Sequence, residues 1–392
     1  RLEVAIEGFL HRLVTQQLFL TVEDTHWMDD ASADVFRRLN SGAAPRPWLL
    51  CYTREEQSAA LTSHEESAHT LFLKPLSASA ARALIEREGS VPLVSYRVAQ
   101  LVERAGGNPL FLRELASALT SEEEQLPDSV EVLVMERIDR LAPEDRLLLR
   151  YAAVLGSTFP ENLVAEMLST DSTAISWTNV SDFVEGAGDG RYRFKHALVR
   201  DAAYEGLPYR RRRSLHALAG YTIERTAGDR ADEEAGVLAL HFYEARDHDR
   251  AWRYSTLAGR RAEAVFANVE AARFLAQALV VGPKSNTVTP QDLAGIHELL
   301  GDVLERLGQY AQAGRAFRIA RRLVVDDPRR TAGMFYKQAW MAEKAGQYAQ
   351  SLRWYRRGID LLKDRTSPGE AGMRAQLLAG YGATRAEQGR FR

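Results

Sequence analysis

Two adjacent carboxylates at the end of an apolar run are the first residues of this chain whose types and spacing suggest chemistry. Residues 18–22, Leu-Phe-Leu-Thr-Val, have the composition of a buried β-strand, and Glu23 and Asp24 follow them directly. Carboxylate oxygens at a strand end can bind Mg²⁺ beside nucleotide phosphates, and a second carboxylate can orient an attacking water. Acids also cap the ends of many buried strands without binding anything, so this pattern alone leaves both interpretations open.

The residues that would surround the phosphates are missing from this sequence. A phosphate-binding loop needs Gly-x-x-x-x-Gly-Lys-Ser/Thr, whose backbone amides and lysine contact the phosphate oxygens. None of the lysines of the chain follows a glycine. We therefore expect no ATP turnover by this chain alone, and no tight binding of ATP, ADP or Mg²⁺.

Two further patterns look like functional sites but are better explained without a ligand. His64 and His69 are five residues apart, which places them roughly 140° apart around a helix, so one zinc ion cannot bind both. Arg210–Arg213 point around most of a helix circumference, and no aromatic residues alternate with them. A solvated or interdomain face is therefore favoured over a nucleic-acid contact.

A short α/β segment must position the two carboxylates. Residues 31–39 are predicted to form a helix, residues 48–53 a second strand, and residues 70–73 a third strand. Strand, helix and strand at this spacing indicate a parallel sheet, in which the carboxyl ends of neighbouring strands lie at one edge.

The chain after this segment is predicted to be mainly helical. Ser77 caps a predicted helix over residues 78–88, and Gly-Gly-Asn-Pro at 106–109 breaks the chain before another helix. Residues 178–194 hold three closely spaced glycines followed by Arg-Tyr-Arg-Phe, which predicts a β-hairpin or wing. A strong helical pattern then starts near His196.

An internal repeat defines the C-terminal part. Gly-Gln-Tyr-Ala-Gln occurs at 308–312 and again at 346–350, and Phe317 and Tyr355 share the same offset of 38 residues. Small and aromatic residues at fixed places in paired helices are typical of tetratricopeptide (TPR) repeats, although this period exceeds their usual ~34 residues. A third copy is expected to begin at Gly389.

Four segments, taken in order, resemble the STAND signalling ATPases (AAA-related) of bacterial transcriptional regulators and cyclase-associated regulators. Residues 18–32 resemble the Walker B region of that family, and residues 49–54 its next strand. Residues 107–111 resemble its Gly-x-Pro motif, and residues 191–204 its winged-helix element. With the helical repeats, the resemblance covers essentially the whole chain. One departure is Glu23, where the family usually has Asp.

The resemblance implies roles for five residues. Glu23 would bind Mg²⁺, and Asp24 would orient the attacking water as a catalytic residue. Arg54 would sense the terminal phosphate, Pro109 would pack near the adenine, and His196 would approach the diphosphate of ADP and latch a closed state. ATP or ADP with Mg²⁺ is therefore the implied cofactor of the full-length protein.

The predicted fold class is mostly α. A truncated parallel α/β P-loop-type domain is expected first, then a helical lid, a winged-helix-like domain and a TPR-like α-solenoid. Their predicted bounds are 1–75, 76–127, 128–231 and 232–392. Both ends are expected to lie inside a longer protein, with the phosphate-binding loop upstream of Arg1.

The function implied is regulatory. In this family the nucleotide holds the first three parts closed, and an inducer at the solenoid, either a protein or a small molecule, opens them. The alternative is a non-catalytic TPR interaction scaffold with a decayed ATPase site. A phosphate-binding loop upstream of Arg1 would support the nucleotide-gated switch, and its absence would support the scaffold.

Composition limits the binding partners and the cellular location that are expected for either function. The formal net charge is −2, so no overall attraction to nucleic acid or an anionic membrane is expected, and nucleic acid would bind only through domains outside this chain. The longest apolar runs fall far short of the roughly 20 residues of a membrane-spanning helix. A single cysteine, Cys51, excludes an internal disulfide and fits the cytoplasm.

Overall fold

The computed structural model describes residues 8–9, 12, 14, 17–25, 28, 30–40, 48–54, 69–88, 95–118, 130–169 and 176–387. The chain divides into two compact units, residues 1–116 and residues 117–392. Within the described residues, no helix combines the length and the apolar character needed to cross a lipid bilayer. The repeat copy predicted from Gly389, like His64, lies outside the described residues.

The first unit contains a two-stranded parallel sheet. Strand β1 (Leu18–Val22) pairs with strand β2 (Trp48–Tyr52), and helix α1 (Asp30–Asn40) lies between them in sequence. Side chains of both strands alternate between half-buried and exposed positions, and Ala33 and Leu39 of α1 are buried. The predicted order of strand, helix and parallel strand is therefore confirmed, with one sheet face covered and the other open.

The prediction of a third strand at residues 70–73 is wrong. This segment forms no strand, and Leu71 and Leu73 expose 82% and 89% of their surface. A β-strand needs a neighbouring backbone for its hydrogen bonds, and the sheet of this unit has only β1 and β2 among the described residues. An apolar run without such a neighbour remains an irregular segment.

Three helices follow the irregular segment: α2 (Ala78–Glu88), α3 (Ser95–Ala105) and α4 (Pro109–Ala118). Ser77 caps α2 as predicted, because its Oγ accepts a hydrogen bond from the backbone N of Ala80 at 3.3 Å. The helices bury a small apolar core that includes Ala81, Ile85, Val98, Leu101 and Leu112.

The second unit opens with helices around a small antiparallel sheet. The strands are β3 (Thr158–Pro160), β4 (Val184–Gly188) and β5 (Arg191–Phe194), in the order β3-β5-β4. The helices are α5 (Val130–Asp139), α6 (Pro143–Leu155), α7 (Glu161–Ser169), α8 (Ala197–Glu205) and α9 (Tyr209–Ala227). The predicted hairpin is confirmed as β4 and β5, and the rings of Trp177 and Tyr192 stack beside it with centroids 4.2 Å apart.

Helical repeats form the remainder of the second unit, as predicted. They are α10 (Ala235–Ala245), α11 (His248–Ala264), α12 (Asn268–Val281), α13 (Pro290–Arg306), α14 (Tyr310–Leu323), α15 (Pro328–Lys344), α16 (Tyr348–Leu361) and α17 (Pro368–Glu387). Each of these helices packs against the next in sequence, which is the arrangement of a helical solenoid.

The two repeat units identified in the sequence fold alike. The pairs α13–α14 and α15–α16 each turn at a glycine with φ +72°, Gly308 and Gly346. Phe317 lies so close to Gly301 that an added Cβ would overlap its ring. Tyr355 is the equivalent of Phe317 in the next repeat, and the two rings are 1% and 0% exposed respectively.

Candidate functional site

The carboxyl ends of β1 and β2 are tied together by backbone and threonine hydrogen bonds. The backbone N of Thr53 donates to the carbonyl of Val22 at 3.0 Å, and the backbone N of Thr25 donates to the carbonyl of Thr53 at 2.9 Å. The Oγ1 of Thr53 accepts from the backbone N of Asp24 at 2.9 Å. The two strand ends therefore continue as a paired edge beyond the sheet itself.

This edge brings three of the sequence-predicted site residues to one place. Glu23 and Asp24 are exposed, and Arg54 follows Thr53 as a half-buried residue. Asp24 adopts φ +53°, a left-handed conformation that Asp tolerates better than most residues. The hydrogen bond of Asp24 to Thr53 uses its backbone, so it leaves the carboxylate of this residue for other contacts.

The Gly-Asn-Pro segment has a complete structural explanation. The Oδ1 of Asn108 accepts hydrogen bonds from the backbone N of Leu110 at 3.0 Å and of Phe111 at 3.2 Å, so it caps α4, and Pro109 is the first residue of that helix. The carbonyl of Gly107 accepts from Leu76 N at 2.9 Å. Pro109 is exposed, and its predicted contact with adenine remains a prediction.

His196 lies in the second unit as the residue that precedes α8. It has extended backbone angles, φ −140° and ψ 138°, and its side chain makes no capping hydrogen bond to the helix. Arg200, one turn later, donates to the carbonyl of Ala153 at 3.2 Å and lies 5.2 Å from the ring centroid of Tyr204. The helix start predicted near His196 is confirmed, and its role toward ADP remains a prediction.

The arginine run at 210–213 makes contacts inside the second unit. Arg211 donates to the hydroxyl of Tyr151 at 3.1 Å, and Arg212 donates to the carbonyl of Leu207 at 2.8 Å. Arg213 donates to the carbonyl of Ala245 at 2.8 Å and so links α9 to α10. These contacts favour the predicted solvated or interdomain face over a nucleic-acid contact.

A buried histidine pair is the main polar feature that the sequence did not reveal. The hydroxyl of Tyr204 lies 3.0 Å from Nε2 of His216, whose Nδ1 lies 3.0 Å from Nδ1 of His241. His216 and His241 are 4% and 1% exposed. Each lies on the buried face of a helix, so sequence periodicity predicts their burial, but only the fold shows that they meet.

Burial controls the charge of this pair. It lowers the pKa of His216 to about 4, with a further contribution from Arg200 and Arg212. It lowers the pKa of His241 to about 3, with a smaller contribution from His216. A hydrogen bond between two ring nitrogens needs one donor and one acceptor, so it requires that at least one ring be neutral. The pair is therefore a packing element that depends on at least one neutral imidazole.

Comparisons with known proteins give one sequence match and one structural alignment. No protein-family model matches the chain. The chain is 26% identical over 305 residues to an uncharacterized protein of Rhizobium meliloti (strain 1021), which covers 70% of this chain and 29% of that protein. A crystal structure of a STAND protein with a tetratricopeptide repeat sensor from Pyrococcus horikoshii aligns with TM-score 0.44 and 14% identity, over all of this chain and 62% of that one. The chain thus spans less than two thirds of either protein.

Proposed function

We propose that this chain is the regulatory part of a STAND-type, nucleotide-gated signalling protein. Its first unit contributes a nucleotide-binding edge, and its solenoid binds a protein or small-molecule inducer. The observation that carries the proposal is the hydrogen-bonded edge at which Glu23, Asp24 and Arg54 adjoin. The ordered resemblance of four sequence segments to this family supports the same function.

The side chains proposed to act at this edge are of the chemical types that Mg²⁺ and a nucleotide need. Proteins bind Mg²⁺ through one or two carboxylates together with waters and phosphate oxygens, and both acids here are exposed carboxylates. When bound, Mg²⁺ neutralises charge on the phosphoryl group that ATP supplies. Glu23 would hold the cation, Asp24 would accept a hydrogen bond from the attacking water, and Arg54 would donate to the terminal phosphate.

The remaining parts of the proposal concern the elements that follow. We propose that α2 to α4 act as the helical lid and that the β3-β5-β4 sheet with its helices is winged-helix-like. Stacked helical repeats form an extended concave surface, and such a surface suits the binding of an inducer.

The proposal is tested by calorimetric titration of ATP and ADP into the full-length protein that contains this chain, with and without Mg²⁺. Glu23→Gln should remove the gain in ATP affinity that Mg²⁺ gives. Arg54→Ala should weaken ATP binding by about 1–3 kcal/mol, the value of a charge-assisted hydrogen bond, and ADP binding less. The matched control is Arg260→Ala, which removes an exposed arginine from a solenoid helix.

Equal binding of ATP by the wild type and both edge variants would overturn the nucleotide role of this edge. It would leave the non-catalytic interaction scaffold as the better account of the chain.

A further inference from the structure

The solenoid contains a pocket between α14, α15 and α16, with a volume of about 290 Å³. Its lining combines two arginines and three glutamines with aromatic and small apolar side chains, and it includes no acidic residue among those described. Arg315 and Arg318 lie on α14, Gln338 lies on α15, and Trp354 lies on α16. Such a lining favours a ligand that brings negative charge and hydrogen-bonding groups.

Gln338 is the residue that distinguishes this pocket from ordinary helix packing. It is 4% exposed, and neither its Nε2 nor its Oε1 has a hydrogen-bond partner among the described residues. Leaving a buried amide unpaired costs about 1–3 kcal/mol. The equivalent position one repeat earlier, 38 residues upstream, is Leu300, a partly buried residue packed against the apolar core. The repeat fold therefore does not require an amide at this position.

The space of the pocket also comes from differences between the two repeats. Ala342 and Ala345 line it, and their equivalents in the preceding repeat are Leu304 and Leu307. Each exchange of leucine for alanine removes three carbon atoms. The second repeat thus combines a polar side chain with smaller neighbours, where the first repeat is filled with leucine.

The two arginines supply positive charge at the mouth of this space. Arg315 and Arg318 are exposed, lie three residues apart on α14, and form no ion pair with an acid of the described chain. Nearby, Arg321 lies 4.5 Å from the ring centroid of Phe335 and is surrounded by further arginines. A guanidinium group pairs with a carboxylate through two parallel hydrogen bonds.

We propose that this pocket binds a short acidic peptide segment. Its carboxylates pair with Arg315 and Arg318, and one of its peptide groups pairs with the amide of Gln338. A peptide group offers an N–H donor to Oε1 and a carbonyl acceptor to Nε2 of Gln338, whereas a phosphate monoester dianion offers acceptors only and leaves Oε1 unpaired. The inference names a ligand class for the sensor role proposed above, but binding itself needs no nucleotide and is measured separately.

The test is calorimetric titration of two capped pentapeptides into the 392-residue chain. The probe is acetyl-Gly-Asp-Leu-Glu-Gly-amide, and its neutral counterpart carries Asn and Gln in place of the acids. We expect the acidic peptide to bind at least tenfold more tightly than the neutral one, and its affinity to fall as salt rises.

Gln338→Leu introduces the residue that the preceding repeat has at the equivalent position. This variant separates a role of Gln338 in binding from a role in stability. It should raise the melting temperature of the chain, because an unpaired buried amide is replaced by an apolar group of similar size. The substitution should also lower the affinity for the acidic peptide at least tenfold. Ala345→Leu should block the pocket with a similar loss of binding, and the control Arg260→Gln should leave affinity unchanged.

Three results would overturn the proposal. The first is the absence of binding by the acidic peptide. The second is unchanged affinity in Gln338→Leu and Ala345→Leu, which would place the peptide elsewhere. The third is displacement of the peptide by inorganic phosphate at equal concentration, which would show a site for anions only.

Discussion

The strand edge of the first unit and the helices of the second unit place their polar groups in opposite ways. Glu23 and Asp24 are exposed at the end of a strand, and Asp24 is held there through its backbone N, which donates to Oγ1 of Thr53. Gln338 and His216 are each 4% exposed and lie on helix faces that pack against other helices. Exposed acids after an apolar run are conspicuous in a sequence, whereas a polar residue on a buried helix face is not. Sequence motifs therefore identify the exposed candidate site at the strand edge, but they do not identify the buried polar residues on the helix faces.

The largest expected effect concerns the solenoid core. Phe317→Ala should lower the free energy of unfolding of the second unit by about 3–5 kcal/mol, because it removes a fully buried ring that fills the space beside Gly301. Ile319→Ala, on the same helix but 41% exposed, should cost less than about 1 kcal/mol. Chemical denaturation followed by circular dichroism measures both, and equal losses would contradict the repeat packing described for Phe317.

The repeats also show how much of the fold could be predicted from the sequence. The pentapeptide at 308–312 and 346–350 predicts the helix pairs, since identical turns and equivalent aromatic residues produce equivalent packing. The strand at residues 70–73 was predicted wrongly because strand formation depends on a partner that local sequence does not specify. The meeting of His216 and His241 is likewise a contact between two helices, and local sequence does not contain it.

A smaller effect is expected in the Gly-Gly pair before α4. Gly107→Ala should destabilise the first unit by about 2–4 kcal/mol, because φ is +76° and an added Cβ would lie 2.8 Å from the carbonyl oxygen of Leu76. Gly106→Ala is the matched control, since φ is +56° there but nothing lies within 4 Å of the added atom. It should cost about 1 kcal/mol. Similar losses in both variants would show that the close approach to Leu76 is unimportant.

The histidine pair predicts a pH dependence of stability. The folded-state pKa values of His216 and His241, about 4 and about 3, lie below the value of 6.5 for an exposed histidine. The unfolded chain therefore binds more protons below pH 6.5, so the contribution of the pair is complete above that pH and is lost as the pH falls. We expect a loss of about 2 kcal/mol or more between pH 7 and pH 4.5.

Carboxylates also titrate in acid, so their contribution must be separated from that of the histidine pair. The free energy of unfolding of a double variant, measured over the same pH range, makes this separation. His216→Gln combined with His241→Gln should show a smaller fall in stability over this pH range than the wild type. Parallel pH profiles for the two proteins would exclude the histidine pair as the cause.

The smallest expected effects are at Asp24 itself. Asp24→Asn and Asp24→Gly should each change the free energy of unfolding by no more than about 0.5–1 kcal/mol, because both residues tolerate φ +53° and the hydrogen bond to Thr53 uses the backbone. Asp24→Leu should be less stable than either, because a bulky side chain is strained in the left-handed region. Thermal unfolding of the three variants measures this order, and a marked loss in Asp24→Asn would show that the carboxylate supports the fold.

The central claim is that the carboxylate of Asp24 serves nucleotide chemistry and is dispensable for folding. Steady-state phosphate release with Mg²⁺ and ATP, measured on the full-length protein together with its melting temperature, tests both halves at once. We expect Asp24→Asn to reduce turnover by at least a hundredfold, in the range typical for loss of a water-positioning or general-base group, with the melting temperature unchanged. Turnover equal to that of the wild type, in a variant that is equally stable, would contradict the claim.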